Sequence, residues 1–172
     1  MNLKSVIREV PDFPSKGINF KDITTLLKDK DAFQFVSNAI IEEFTGKGIT
    51  KVLGIESRGF ILGGVIAHAL NSGFVPVRKE GKLPAEKISE TYSLEYGSDI
   101  IEIHADALDA GDIVLIHDDL LATGGTAEAV LKMVQFCGIK QIYFSFICDL
   151  TFLDTPSKKV VNEFHPHVLV KY

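Results

Sequence analysis

The stretch Ile113–Val130, IVLIHDDLLATGGTAEAV, changes chemical character twice within a few turns of chain. Its apolar start, up to Ile116, predicts a buried strand, and the acidic pair Asp118–Asp119 follows directly. A turn of small residues then leads into a segment with helical spacing of apolar residues. A strand, a glycine-rich turn and a helix in this order favour an anion, because free backbone N–H groups and the positive end of the helix dipole face it.

The two carboxylates beside this turn restrict the ligand further. Taken alone, the turn has a simpler explanation: its glycines allow tight packing, and Asp119 or Thr123 is the helix N-cap. The spacing is neither that of a Walker loop nor that of a dinucleotide-binding fingerprint. Carboxylates repel a phosphate, so we expect them to face sugar hydroxyls or a divalent cation on the same ligand. The stretch therefore predicts a site for a phosphorylated sugar.

The periodicity of the whole chain predicts an α/β fold. Helices are predicted at 33–44, 59–70 and 123–137, and strands at 51–55, 74–77, 99–104, 112–116, 141–148 and 168–170. Residues 79–97 show no clear period, and a connection of this length predicts a lid or binding loop. The alternation of strands and helices predicts a mainly parallel, twisted sheet flanked by helices on both faces.

Polar segments follow three of the predicted strands, at 56–58, 78–79 and 118–126. Ligands of such sheets bind beyond the carboxyl ends of the strands, so these segments are expected to converge. Four basic residues lie in or near them: Arg58, Arg78, Lys79 and Lys82. Each one alone is most simply a solvated surface residue, but together, in an acidic protein, they predict a local anion site.

Composition excludes several classes of protein. The 172 residues fit one domain, with 46% hydrophobic and 24% charged residues. A net charge of −5 argues against general nucleic-acid binding. The two cysteines, Cys137 and Cys148, lie in apolar surroundings and predict a reducing compartment rather than disulfides. With no apolar stretch long enough for a signal peptide or a membrane span, we expect a soluble cytoplasmic protein without a membrane partner.

Several separate motifs resemble the type I phosphoribosyltransferases. The run VLIHDDLLATGGT resembles the ribose-phosphate-binding motif of that family, and PDFPSKGINFKDITTLL, GIESRGF, RKEGKLP and YSLEYG follow its order along nearly the whole chain. The resemblance implies the type I phosphoribosyltransferase fold as a single domain, 1–172. A small hood is expected from about residues 1–25 with the C-terminal strand, and a flexible lid at about 79–97.

The same resemblance implies a reaction. The family transfers ribose 5-phosphate from phosphoribosyl pyrophosphate (PRPP) to a purine base and releases pyrophosphate, with Mg²⁺ present. Adenine is the implied acceptor and AMP the product, in a homodimer. The metal is expected to be carried by PRPP, with Asp118 or Asp119 as its only candidate protein ligands. A 6-oxopurine acceptor stays open, and so does a non-catalytic PRPP-sensing regulator, which ranks lower because the lid carboxylate is present.

Residue roles in the ribose-phosphate half follow from the resemblance. The 5-phosphate is assigned to the turn residues Ala122, Thr123, Gly124, Gly125 and Thr126. Asp118 and Asp119 are assigned to the ribose hydroxyls, where they favour positive charge at the anomeric carbon. Pyrophosphate is assigned to Ser57, Arg58, Gly59, Arg78, Lys79 and Lys82, with a cis peptide expected between Glu56 and Ser57.

The base half is assigned in the same way. Glu95 is implied as the catalytic carboxylate near the imidazole nitrogens of the base, and Tyr92 and Tyr96 as parts of the lid that excludes water. Asn19, Phe20 and Lys21 are implied to contact the base, with Phe20 stacking on the ring.

Three residues depart from the family pattern. Asn19 stands where an aliphatic residue is usual and Lys21 where arginine is usual, which predicts weaker discrimination between 6-amino and 6-oxo purines. His117 also stands where an aliphatic residue is usual. One histidine at a strand end is weak evidence for catalysis, so we expect it to be structural.

Overall fold

The computed structural model describes residues 1–93 and 97–172, which form two compact units, 1–39 and 40–172. The first unit contains the hairpin of β1 (Arg8–Pro11) and β2 (Asn19–Asp22), the short helix α1 (Thr24–Lys28) and the start of α2 (Lys30–Phe44). It includes the segment for which a hood is predicted. The role of that segment as a hood stays a prediction.

The second unit is an α/β structure. Its elements are β3 (Lys51–Ile55), α3 (Gly59–Ala69), β4 (Gly73–Lys79), β5 (Lys87–Ser93), β6 (Ser98–His104), β7 (Ile113–Leu121), α4 (Gly125–Phe136), β8 (Gln141–Asp149), α5 (Pro156–Asn162) and β9 (His167–Lys171). The strands form one sheet in the order β5-β6-β4-β3-β7-β8-β9. All pairs are parallel from β4 to β9, whereas β5 and β6 are antiparallel to their neighbours. The predicted fold class, α/β with a mainly parallel sheet, is confirmed.

Helices α3 and α4 cover opposite faces of this sheet. Alternate residues of the central strands, such as Leu53, Ile116 and Phe144, pack with Val130 and Val134 of α4 in one buried cluster. Successive side chains of a strand point to opposite faces, so Gly54, which lies between Leu53 and Ile55, faces α3. A Cβ on Gly54 would lie 2.7 Å from the ring of Phe74 on β4 and 3.0 Å from the Gly59 carbonyl oxygen, so the missing side chain lets the start of α3 pack closely on the sheet.

The structure corrects the prediction at three places in the second unit. The stretch predicted as irregular, 79–97, contains β5, whose inward-facing Ile88, Glu90 and Tyr92 follow a two-residue period that Glu90 conceals. Strand β7 does not end at Ile116 but continues to Leu121. Helix α5 was not predicted, because a helix of seven residues gives too short a hydrophobic period to recognise.

Glu102 of β6 is a buried carboxylate that contacts two parts of the 79–97 segment, its start and β5. Its side chain accepts hydrogen bonds from the Gly81 N–H at 3.1 Å and the Ser89 hydroxyl at 3.2 Å, and it pairs with Lys87 at 3.3 Å. These three partners come from the start of the segment and from β5. Glu102 therefore links the start of the segment and β5 to β6.

No helix of the described residues is long and apolar enough to cross a membrane.

Replacing Glu102 by alanine is expected to lower the free energy of unfolding by about 1–2 kcal/mol, because the Gly81 N–H, the Ser89 hydroxyl and the Lys87 ammonium group lose their partner. Urea denaturation measures the change. Glu102→Gln keeps the shape and some of the hydrogen bonds, so its loss should be smaller. The exposed Glu42→Ala serves as the control and should change stability little. Equal stability of Glu102→Ala and wild type contradicts the assigned role.

Candidate functional site

The turn between β7 and α4 encloses a small cavity. The cavity has a volume of about 70 Å³ and is lined by residues 120–127 together with Asp118 and Phe146. Gly124 has a positive φ of 81° and precedes α4, whose first residue is Gly125. Because the first N–H groups of a helix have no intrahelical acceptor, they are available to an anion here. Residues 122–126, called the phosphate turn below, thus present free N–H groups to the cavity, and their binding of phosphate stays a prediction.

The acidic pair lies in the last part of β7, next to this turn. Asp118 borders the cavity, and its Oδ1 accepts a hydrogen bond of 2.8 Å from the Asp119 N–H. The Asp119 carboxylate is buried and forms an ion pair of 3.1 Å with Arg58. Burial and the neighbouring Asp119 charge raise the pKa of Asp118 well above its usual value, and burial also raises the pKa of Asp119 although Arg58 opposes it. Such a pair is stabilised by a cation or by developing positive charge.

The segment after β3 lies directly against this pair. The Glu56–Ser57 peptide is cis, as predicted from the resemblance. A Cβ on Gly59 would lie 2.8 Å from the His117 carbonyl oxygen and 3.1 Å from Asp118 Oδ1. Only glycine fits there without moving the backbone of β7. The contact brings two of the predicted motifs together, as the convergence of strand ends requires.

Glu56 organises the basic residues that follow β4. Its Oε2 lies 3.3 Å from Arg78 Nε and accepts a 2.9 Å hydrogen bond from the Lys79 N–H. Arg78 also donates to the Lys82 carbonyl oxygen at 3.3 Å. Burial acts to raise the pKa of Glu56, but the Lys79 N–H and Arg78 together hold it below its usual value. Sequence reasoning gave Glu56 no role, although its position directly after a buried strand was a signal.

Lys79 is directed to a different partner. Its ammonium group lies 2.9 Å from Asp99, and the pairing lowers the pKa of Asp99. The Tyr92 hydroxyl lies 3.3 Å from the same carboxylate and also contacts Thr126 of the phosphate turn. Tyr92 is thus a buried residue of β5 beside the turn, and its predicted role in a lid stays a prediction. Glu95 and Tyr96 lie outside the described residues.

In the first unit, the predicted base-contacting segment is β2. Asn19 donates a 2.8 Å hydrogen bond to Glu9, and Lys21 forms a 2.9 Å ion pair with the same carboxylate. The hydrogen bonds from Lys21 and Asn19 lower the pKa of Glu9. Phe20 packs edge-on against Phe13 at 5.3 Å between ring centroids. Both departures from the family pattern therefore share one partner, Glu9, which sequence reasoning missed because it lies across the hairpin.

His117 is fully buried within β7. It lies beside Gly54 of β3 and Ser145 of β8 in the parallel register. Burial lowers the pKa of His117 from its usual 6.5 to about 4, and only a contact with the Ser145 backbone acts in the other direction. A neutral imidazole inside the sheet agrees with the expected structural role.

This buried imidazole predicts a loss of stability in acid. His117 binds a proton near pH 6.5 in the unfolded chain and only near pH 4 in the folded chain. The free energy of unfolding is therefore at its full value above pH 6.5 and declines as the pH falls below it. Between pH 7.5 and 4.5 the expected loss is about 2.5 kcal/mol, and His117→Leu should lack it. Urea denaturation at both pH values measures the difference. His68→Leu, at an exposed helix position, should keep the wild-type dependence. The same dependence in His117→Leu as in wild type contradicts this assignment.

Among residues 1–93 and 97–172, no three His, Cys, Asp or Glu side chains are grouped so that they could hold a metal ion.

Comparison with known proteins identifies close relatives. Residues 21–171 match the phosphoribosyl transferase domain family. Adenine phosphoribosyltransferase of Phocaeicola vulgatus is 56% identical over 148 residues, which cover 86% of this chain and 85% of that protein.

Two crystal structures resemble the fold closely. The adenine phosphoribosyltransferase of Rhodothermus marinus has a TM-score of 0.90 and 50% identity, over 99% of this chain and 96% of that one. The enzyme of Giardia lamblia, complexed with 9-deazaadenine, has a TM-score of 0.91 and 37% identity, over 98% and 95%.

Proposed function

The chain belongs to the phosphoribosyltransferase family, and we infer that it transfers ribose 5-phosphate from PRPP to adenine, giving AMP and pyrophosphate. Curated relatives that are 51–56% identical carry the name adenine phosphoribosyltransferase. The observation that carries the inference is the acidic pair of β7 beside the phosphate turn, since Asp118 and residues 122–126 line one cavity. This arrangement suits a ligand with a phosphate at one end and a diol at the other.

We propose that the 5-phosphate binds at residues 122–126, on the N–H groups of the turn and the start of α4, with Thr123 and Thr126 as hydroxyl donors. Asp118 and Asp119 then face the ribose hydroxyls. Two carboxylates with raised pKa values are stabilised by positive charge developing at the anomeric carbon, which lowers the barrier to breaking the bond to pyrophosphate. The negative pair thus assists the reaction at the sugar and leaves the phosphate to the backbone.

The leaving pyrophosphate is assigned to Ser57, Arg58, Gly59, Arg78, Lys79 and Lys82. Three of these cations lie against carboxylates: Arg58 on Asp119, Arg78 on Glu56 and Lys79 on Asp99. A guanidinium group can contact phosphate oxygens and still keep one carboxylate contact, because it has five N–H donors. The carboxylates therefore hold the cations in place for the pyrophosphate.

Mg²⁺ fits this site as a metal held mainly by the substrate. Asp118 and Asp119 offer carboxylate oxygens, and Mg²⁺ in such sites takes one or two carboxylates with phosphate oxygens and water. When bound, the ion neutralises charge on the departing pyrophosphate.

The base is proposed to bind at Asn19, Phe20 and Lys21. Glu9 engages the amide of Asn19 and the ammonium of Lys21, so these two departures are satisfied within the hairpin. A 6-amino group is a hydrogen-bond donor, so an unpaired donor in the pocket disfavours it. A donor that is already bonded to a carboxylate disfavours it less. We therefore expect Asn19 and Lys21 to weaken the discrimination less than their residue types alone predict, which supports adenine over a 6-oxopurine.

Proton transfer to or from the base is assigned to Glu95 by family resemblance, with Tyr92 and Tyr96 in the lid. Water competes with the purine as a nucleophile, so a closing segment protects the reaction. Family resemblance also supports a homodimer in the cytoplasm. A regulator that only senses PRPP has no need of Glu95, and turnover separates the two.

The choice of base is tested by comparing rates with adenine, hypoxanthine, guanine and xanthine in the presence of PRPP and Mg²⁺. We expect AMP formation to exceed the other products by at least about a hundredfold in kcat/KM, since a mismatched polar edge leaves buried groups unpaired. Glu9→Gln, which weakens the hold on Asn19 and Lys21, should narrow this ratio. No AMP formation by the purified protein contradicts the proposed function, and equal rates with hypoxanthine contradict adenine selectivity.

Glu95→Gln is expected to lower kcat by about 10²–10⁴-fold with little change in the KM for PRPP, because a general acid–base group acts mainly in the transition state. Glu86→Gln, in the same 79–97 segment and exposed, is the matched control and should retain full turnover. Steady-state kinetics measure both variants. An unchanged kcat in Glu95→Gln removes its catalytic role.

A further inference from the structure

The start of α5 is attached to the back of the phosphate turn. Thr155, the N-cap of α5, accepts a 3.1 Å hydrogen bond from the Lys158 N–H, and its hydroxyl donates to the Thr123 carbonyl oxygen. The one hydroxyl of Thr155 is thus an acceptor for its helix and a donor to the turn. Neither the sequence pattern nor the assigned roles include this residue.

A second contact lies at Gly124. A Cβ at that position would lie 2.7 Å from the Lys158 Cα and 2.8 Å from its backbone nitrogen. The positive φ of Gly124 is a further reason for glycine there. The backbone of α5 therefore forms a wall against which the turn is packed.

Lys158 keeps that wall in place. Its side chain is 4% exposed, and its ammonium group pairs with Asp149 and donates to the Leu150 carbonyl oxygen, both at the end of β8. Ser157 also contacts Glu128 in the first turn of α4. The start of α5 is thus connected to β8, to the phosphate turn and to α4.

The contact at Thr123 has a consequence for the next N–H group. In a planar trans peptide the C=O and the following N–H point in opposite directions. With the Thr123 carbonyl oxygen held on Thr155, the Gly124 N–H points away from α5. A rotated peptide would instead turn the partially negative oxygen away from α5, where it would repel a phosphate.

We propose that Thr155 is a positioning residue for the ribose 5-phosphate site: it holds the Thr123–Gly124 peptide with the Gly124 N–H available to the 5-phosphate. This inference rests on the proposed function, which assigns the 5-phosphate to residues 122–126. Fixing the peptide before binding removes the entropic cost of ordering it when the ligand arrives. Thr155 acts through the turn and does not touch the reacting atoms.

Thr155→Val and Thr155→Gly test this role. Valine keeps the shape without the hydroxyl, and glycine also retains most of the capping stability, so at least one of the two folds. Both are expected to raise the Kd for ribose 5-phosphate and the KM for PRPP about five- to tenfold, the equivalent of one hydrogen bond. The KM for adenine should stay within about twofold, and Thr155→Ser, which restores the hydroxyl, should bind like wild type.

The matched control is Thr151→Val. Thr151 follows β8, and its hydroxyl also donates to a backbone carbonyl oxygen, that of Tyr172, but it has no contact with the phosphate turn among those described. It should leave ribose 5-phosphate affinity unchanged. A direct readout is the Gly124 amide resonance in a ¹H–¹⁵N spectrum, which should shift on addition of ribose 5-phosphate to wild type and less in Thr155→Val or Thr155→Gly.

Two kinds of failure can be told apart with Thr126→Val, a variant within the turn. Unchanged ribose 5-phosphate affinity in Thr126→Val and Thr155→Val together overturns the assignment of the site itself. Weaker binding in Thr126→Val with wild-type binding in Thr155→Val and Thr155→Gly overturns the role of Thr155 alone. Equal losses in Thr155→Ser and Thr155→Val, or in Thr151→Val, also overturn it, because the hydroxyl would then not be the cause.

Discussion

The close approach of Gly59 to the backbone of β7 is the constraint on which the site depends. A side chain at this position would lie 2.8 Å from the His117 carbonyl oxygen, so the start of α3 can reach β7 only with glycine. This approach places Arg58 beside Asp119 and the Ser57–Gly59 segment beside Asp118. Parallel pairing of β3 with β7 then sets both strand ends at one edge of the sheet. The groups proposed to bind the anion and the sugar are adjacent because the two backbones touch.

Charge in this site is balanced locally before any substrate binds. Arg58, Arg78 and Lys79 each have a carboxylate within 3.3 Å. These carboxylates offset the repulsion between the cations that are assigned to pyrophosphate. Asp118 is different, because burial and Asp119 leave it with a raised pKa. Positive charge would therefore stabilise the Asp118 carboxylate, which lies where the sugar is proposed to bind. An acidic protein can therefore bind a strongly anionic substrate without a generally basic surface.

Sequence patterns predicted most of the fold and the local motifs. The helical period at 33–44, the apolar run at 51–55 and the turn at 122–126 all depend on neighbours in sequence, and each was found close to its predicted place. Strand β5 was missed because Glu90 interrupts its apolar alternation, and α5 was missed because it is short. The acidic pair was predicted after its strand and lies inside it, since backbone pairing with β8 continues past Ile116 to Leu121.

The sequence by itself determined the phosphate turn, the acidic pair beside it and the family, because these depend on residue type at short spacing. Only the tertiary structure decided which partner each charged side chain takes. Glu9 holds Asn19 and Lys21 across a hairpin, Glu56 holds Arg78 from the neighbouring strand, and Thr155 reaches the turn from a helix that lies 32 residues further along the chain. Such pairings depend on where strands and helices meet in space. A local pattern contains no information about the distance between residues that folding brings together.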